Sequence, residues 1–275
     1  MEVITKVIHH ARPDKFLLYA IGDIHTGSIH CADEDIRTKL AEIQATPNAY
    51  WVGMGDYADC ITTHDPRFMS GGLASWVKPD DIVDSQRNYL RELFKPVADK
   101  CLCLLTGNHE EAIHKAHDDD IGRHLAEDLG VPYGGYSSFL ELLFRRGNGL
   151  SKPDAFRLVV HLWHGAGASQ TEGARIMRLM RLVNDIEADI YLMGHLHAIA
   201  VYTPDRLVLS TKTKRVRSTK LAAVVTGSWL KTYTQPHDGE SMSISYGEMK
   251  GYKPSRIGCP CIEIDPDAKD FRVIA

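Results

Sequence analysis

FLLYAIGD, residues Phe16–Asp23, is a short apolar run that stops at a glycine and hands over to an aspartate. The same grammar returns in AYWVGMGD (Ala49–Asp56), CLCLLTGNH (Cys101–His109), FRLVVHLWHG (Phe156–Gly165) and DIYLMGH (Asp189–His195). Apolar runs of this length, closed by glycine, predict buried strands. Between them Asp33–Ala45, Asp81–Asp99, Asp120–Leu129 and Thr171–Glu187 carry helical spacing, with Asp33, Asp81 and Thr171 as helix starts. Strand–helix alternation predicts a layered α/β fold. After His195 the texture changes to short strand-like runs: AIAVYTPD, RLVLSTKTKRVRS, KLAAVVTGSW, CIEID and FRVIA. No polar, Pro/Gly-rich linker and no internal repeat divides the chain, so one domain over residues 1–275 is expected. Cys60–Lys78 and Thr232–Ser255 read as long irregular segments, and the first, which contains Ser70-Gly71-Gly72, is a candidate rim or lid.

The chain has 275 residues, 44% apolar and 25% charged, with a net charge of −4. That composition builds a sizeable core, and its charge offers no global attraction to nucleic acid or to an anionic membrane. Any polyanion must be held by a local patch. The N-terminal stretch lacks the uninterrupted apolar core of a signal peptide, and no run reaches the ~18 apolar residues of a membrane span. A cytoplasmic protein with no membrane partner is expected; no oligomeric state follows. Six cysteines include the C-x-C pairs Cys101/Cys103 and Cys259/Cys261. Strand alternation predicts that the sulfurs of each pair share a face, and the absence of C-x-x-C favours reduced, buried thiols over a metal–thiolate site.

Each principal strand ends in a cluster of Asp, Asn and His. The clusters are Asp23-Ile24-His25, Gly55-Asp56 with Asp59, Gly107-Asn108-His109-Glu110, His164-Gly165 and Gly194-His195-Leu196-His197. Residues two apart at a strand end point the same way, so Asp23 and His25 are expected to reach one cation together. The flanking glycines permit tight turns, and sites in α/β sheets lie beyond the carboxyl ends of the strands. All five clusters are therefore expected on one edge. Mixed oxygen and nitrogen donors suit Mn²⁺, Fe or Zn²⁺ better than Ca²⁺. A lone histidine in a strand is ordinarily structural; five ordered clusters change that reading.

The series D-x-H, G-D-x-x-D, G-N-H-E, H-G and G-H-x-H, running from Asp23 to His197, resembles the calcineurin-like metallophosphoesterases. The resemblance implies a four-layer α/β/β/α sandwich of two mixed sheets. Carried over by motif, it implies that Asp23, His25 and His197 hold one divalent ion and that Asn108, His164 and His195 hold the other. Asp56 would bridge them, with Mn²⁺ favoured and Fe, Zn²⁺, Ni²⁺ or Mg²⁺ as alternatives. His109 would stand beside the phosphoryl group, neutralising charge or protonating the leaving group, with Asp59 orienting it. Two cations about 4 Å apart clamp phosphoryl oxygens and acidify the water between them, so direct phosphoester hydrolysis is the expected reaction.

The family covers several phosphoester classes, and two features bear on the choice. Its serine/threonine protein phosphatases show G-D-x-x-D-R-G, whose arginine grips the substrate phosphate. Here Cys60 stands in that place, which weighs against a protein phosphatase and mildly favours diesters. Second, residues 206–231 carry Arg206, Lys212, Lys214, Arg215, Arg217, Lys220 and Lys231 with no acidic residue. That run reads either as a solvated hairpin face or as a phosphate-backbone contact. His64, Lys212, Lys214, Arg215 and Arg217 are the candidate substrate contacts. The compact chain and its basic run resemble small phage or prophage phosphoesterases and the catalytic core of repair nucleases. That resemblance implies a phosphodiesterase with nuclease activity on single-stranded DNA or DNA ends, in the host cytoplasm if phage-encoded. The alternatives are a phosphomonoesterase on nucleotides or phosphoproteins, and a non-catalytic scaffold such as the retromer subunit that resembles this family. The presence of His109 disfavours the scaffold.

Overall fold

The computed structural model describes residues 1–147, 155–211, 213–233 and 245–275. One sheet has the order β13 (Asp270–Ile274), β12 (Cys261–Asp265), β2 (Phe16–Ile21), β3 (Ala49–Gly53), β4 (Cys101–Leu104). Within it β2, β3 and β4 are parallel, and β12 is antiparallel to both of its neighbours. The other sheet has the order β1 (Glu2–His10), β5 (Ser137–Arg146), β6 (Ala155–Trp163), β7 (Ile190–Met193), β11 (Ala222–Thr226), β8 (Ile199–Tyr202), with β6, β7 and β11 parallel. A separate antiparallel ribbon pairs β9 (Asp205–Ser210) with β10 (Arg215–Lys220). The helices are α1 (Asp33–Ala45), α2 (Ile82–Phe94), α3 (Asn108–His117), α4 (Ile121–Leu129), α5 (Glu172–Asp185) and the short α6 (Tyr246–Lys250).

The period of two along each strand sorts side chains into layers. Leu18, Ala20 and Val52 of one sheet meet Leu140, Leu142, Leu158, Val160, Leu192 and Val224 of the other in a shared apolar layer. The alternate residues Tyr19, Ile21 and Trp51 face outward and pack on Ile36 and Leu40 of α1, Leu90 and Phe94 of α2 and Leu125 of α4. On the far side Tyr191, Met193, Ala223 and Val225 pack on Leu179, Leu182 and Val183 of α5. The result is a four-layer α/β/β/α sandwich of two mixed sheets. Strands covered on both faces explain why the central runs are apolar throughout rather than alternating.

Several local expectations are corrected. CLCLLTGNH is not strand to its end: β4 stops at Leu104 and α3 begins at Asn108, with Gly107 at its N-cap and the Glu110 carboxylate accepting the Gly107 N–H at 2.9 Å. Cys101 and Cys103 do not share a face. A register shift opposite Trp51/Val52 turns Cys101 to the helix-covered layer and Cys103 to the layer between the sheets. The expected helix Asp81–Asp99 is α-helical only to Phe94 and continues as a 3-10 helix over Lys95–Lys100, because Pro96 supplies no N–H to prolong it. Strands β1 and β5 had no counterpart in the sequence reading: both carry charged residues on a half-exposed face, and neither ends in a ligand cluster. No helix among the described residues is long and apolar enough to cross a membrane.

Candidate metal centre

The five clusters lie in loops at the carboxyl ends of parallel strands from both sheets. Asp23 and His25 follow β2, Asp56 and Asp59 follow β3, Asn108 and His109 open α3, His164 follows β6, and His195 and His197 follow β7. Main-chain bonds lock these loops together. Asp23 N–H donates to Gly55 O (2.9 Å) and His25 N–H to Asp56 O (3.1 Å), while the Asp23 carboxylate accepts the His195 N–H at 3.1 and 2.9 Å. Gly107 lets the loops close: a Cβ there would stand 2.1 Å from Asp56 Oδ1.

Asp23, His25, Asp56, His195 and His197 all have φ between 46° and 69°. Holding non-glycine residues in this left-handed region costs on the order of 1–3 kcal/mol each, and such strain clusters at functional sites. It also corrects the expected alignment. β2 ends at Ile21 and β7 at Met193, so left-handed loop residues, not strand alternation, aim Asp23 with His25.

Donor atoms of Asp23, His25, Asp56 and His197 lie within 4.8 Å of one another, and those of Asp56, His164 and His195 form a second such group. Asp56 belongs to both. His25 Nε2 is 3.0 Å from His197 Nε2, which is 3.2 Å from Asp23 Oδ1. His164 Nε2 is 3.4 Å from Asp56 Oδ2 and 3.1 Å from Asn108 Oδ1. Since a carbonyl only accepts, the 2.6 Å bond to Met54 O puts a hydrogen on His164 Nδ1 and turns Nε2 to the cluster. The Asp59 carboxylate does the same for His25, contacting its Nδ1 at 3.2 Å. His109 Nδ1 instead donates to the main-chain oxygen of Asp59, and the carboxylate is 4.0 Å away.

The donor set fits divalent cations. Among the described residues His195 Nδ1 is buried without a hydrogen-bond partner, a state that costs about 1–3 kcal/mol and that ligation removes. Burial works against ionisation of Asp56, yet the neighbouring His164, His109 and His25 hold its carboxyl well below the usual range. Burial likewise opposes the charge on His164, but the Asp56 and Asp23 carboxylates outweigh it and push its pKa up to about 10. For His197 the hydrogen bond and charge of Asp23 outweigh burial and raise the pKa, whereas burial lowers that of His25 and His195. Without cations, protons on imidazoles offset the buried carboxylates; a metal replaces them.

Two participants were missed in the sequence. Glu110 is 1% exposed, and its carboxylate accepts the N–H groups of Asp56 (2.9 Å), Tyr57 (2.7 Å), Ala58 (3.1 Å) and Gly107 (2.9 Å). It shapes the turn that presents Asp56, and only its place in GNHE signalled it. Arg67 reaches in from the segment after β3, with Nη1 3.2 Å from His109 Nε2. Nothing in its local sequence separates it from a surface arginine.

The candidate substrate contacts are placed differently from one another. His64 is exposed on the Arg67 segment. Lys214, Arg215 and Arg217 are exposed on the β9–β10 ribbon, and Lys212 lies outside the described residues. The pairing of Tyr202 with Ala223 and of Ile199 with Thr226 roots that ribbon at the end of β8 away from His197. Nearness of the basic run to His197 in sequence is therefore not nearness at its root.

A four-layer sandwich with two donor groups sharing one carboxylate, at the carboxyl ends of strands from both sheets, has the architecture of a metal-dependent hydrolase. The model of the calcineurin-like phosphoesterase family matches residues 16–198, and the chain belongs to that family. The match spans every one of the five clusters. Comparison with curated proteins returns no match. At this level the protein is a metal-dependent phosphoester hydrolase.

Proposed function

We propose that the protein is a phosphodiesterase that cleaves single-stranded DNA or DNA ends with two divalent ions, Mn²⁺ the first choice. The observation that carries the two-ion reading is the sharing of Asp56 between two convergent donor groups. Asp23, His25 and His197 would hold one ion and Asn108, His164 and His195 the other, with Asp56 common to both groups. Bound ions supply Lewis-acid charge at the phosphoryl oxygens and a more acidic water. The chain's own groups orient the rest: Met54 O fixes His164, the Asp59 carboxylate fixes His25, and the Asp59 carbonyl fixes His109 with Nε2 toward Arg67. From Nε2, His109 neutralises developing charge and protonates the departing oxygen.

Support for a nucleic acid comes from Lys214, Arg215 and Arg217, exposed on one ribbon. The ribbon is rooted one strand length from the His197 end of β8, roughly 13 Å for four residues, a span that suits a polymer better than a small ester. The test is a panel run on Mn²⁺-loaded protein: bis-(p-nitrophenyl) phosphate, p-nitrophenyl phosphate, cyclic nucleotides, and labelled single- and double-stranded DNA. Diester hydrolysis with single-strand cleavage is expected; an active diesterase that leaves all DNA intact sinks the DNA assignment. Arg67 favours a second reading, a monoesterase, since a guanidinium beside His109 restores a grip on a dianionic phosphate. A far higher kcat/KM for the monoester selects it.

A further inference from the structure

We infer that Arg67 is the phosphate anchor of this site, supplied by the segment after β3 in place of the arginine missing at Cys60. The inference rests on the phosphoester reading above. Cys60 itself cannot serve: it is 3% exposed, packs in the layer under the helices, and its N–H donates to Gln86 Oε1 at 2.9 Å. Seven residues on, Asp65-Pro66-Arg67 bends back over the site. Asp65 Oδ1 accepts both the Arg67 N–H (2.8 Å) and Nε–H (3.0 Å), and Oδ2 accepts from Nη2 (2.7 Å). This side-on pairing fixes the plane of the guanidinium and leaves Nη1 directed at His109 Nε2, 3.2 Å away.

A guanidinium does not give up its proton, so Nη1 is the donor and His109 Nε2 the acceptor. That is a weak use of a charged donor. An oxyanion that displaces this contact accepts a stronger, charge-assisted bond from Nη1 and leaves Nε2 free to carry a proton. The main-chain N–H of His109 donates to Asp56 Oδ1 at 2.9 Å, so the residue that Nη1 meets is itself tied to the carboxylate shared by both donor groups. The Arg67 side chain is 47% exposed, open to an arriving substrate, while that of Asp65 is 19% exposed and stays behind it. The ligand is a non-bridging phosphate oxygen, and a terminal, dianionic phosphate gains most.

The experiment uses full-length, Mn²⁺-loaded protein and the variants Arg67→Met, Arg67→Lys and Asp65→Asn. It reads KM and kcat for p-nitrophenyl phosphate and bis-(p-nitrophenyl) phosphate, and inorganic phosphate binding by calorimetry, with Mn²⁺ content and melting temperature as controls. Arg67→Met is expected to weaken phosphate binding and raise the monoester KM by about 10- to 100-fold, with a smaller change for the diester. Arg67→Lys should recover part of the loss, because the charge stays and the fork goes. Asp65→Asn should shift the same quantities in the same direction, by less. A hydrolytically active parent whose KM and phosphate affinity are unchanged in Arg67→Met overturns the anchor and leaves the hydrolase reading intact. A parent that hydrolyses neither ester but binds phosphate through Arg67 overturns the hydrolase reading and leaves the anchor.

Discussion

Asp56 carries more of the proposed chemistry than any other side chain, and its surroundings explain how a buried carboxylate stays charged. It is 1% exposed, accepts the His109 N–H, and faces His164, His109 and His25. Asp56→Asn keeps the shape and tolerates the left-handed φ, so the fold should survive. One charge common to both donor groups is lost. Elemental analysis should then find at most one ion per chain, with hydrolysis of bis-(p-nitrophenyl) phosphate down by at least about 100-fold. Two ions retained at full occupancy would show that Asp56 is not shared.

At the scale of the element, α3 organises the loop after β3. Its first turn contributes Glu110, whose carboxylate is buried, so burial and then the nearby Asp56 charge raise its pKa. Glu110→Ala leaves the N–H groups of Asp56, Tyr57, Ala58 and Gly107 without that acceptor and should destabilise the chain by about 3 kcal/mol or more, read by urea denaturation. A loss within experimental error would mean that water replaces the carboxylate. On β6, His161 is 1% exposed between Phe139 and Tyr191, and burial lowers its pKa to about 4. The folded chain keeps it neutral, while the unfolded chain binds a proton as pH falls through about 6.5. Its neutral form therefore supports the fold fully above about 6.5, and that support drains away between 6.5 and 4. Metal-free His161→Gln should lose less stability than the parent between pH 7 and 4.5; parallel stability–pH curves would refute this.

For the whole molecule, the centre is also where the two sheets are joined. Asp23 of one sheet accepts from His195 of the other, and His164 of the second donates to Met54 O of the first. Ions bound across that seam bind only the folded state. Mn²⁺ at a hundred times its Kd should add about 2.7 kcal/mol to the unfolding free energy for each ion bound, and a chelator should remove it. Calorimetric scans with and without the chelator check this; coincident melting curves would mean that no ion stabilises the fold.

The sequence was most legible where short motifs sit at the ends of apolar runs. The family's ligand types, the strands that end in them and the helices α1, α4 and α5 all follow from local pattern, because burial on both faces and helical spacing act over a few residues. The edge strand β1, its neighbour β5 and the start of α3 escaped, since half-exposed charge and a continuing apolar run blur the local signal. Tertiary structure alone decided the rest. It set the left-handed turns that aim Asp23 and His25, the bulge that parts Cys101 from Cys103, and the retreat of the basic ribbon's root from His197. It also brought Arg67 to His109 across 42 residues of chain. These depend on which loops the packing of two sheets brings together, and contacts so far apart in sequence leave no local pattern to read.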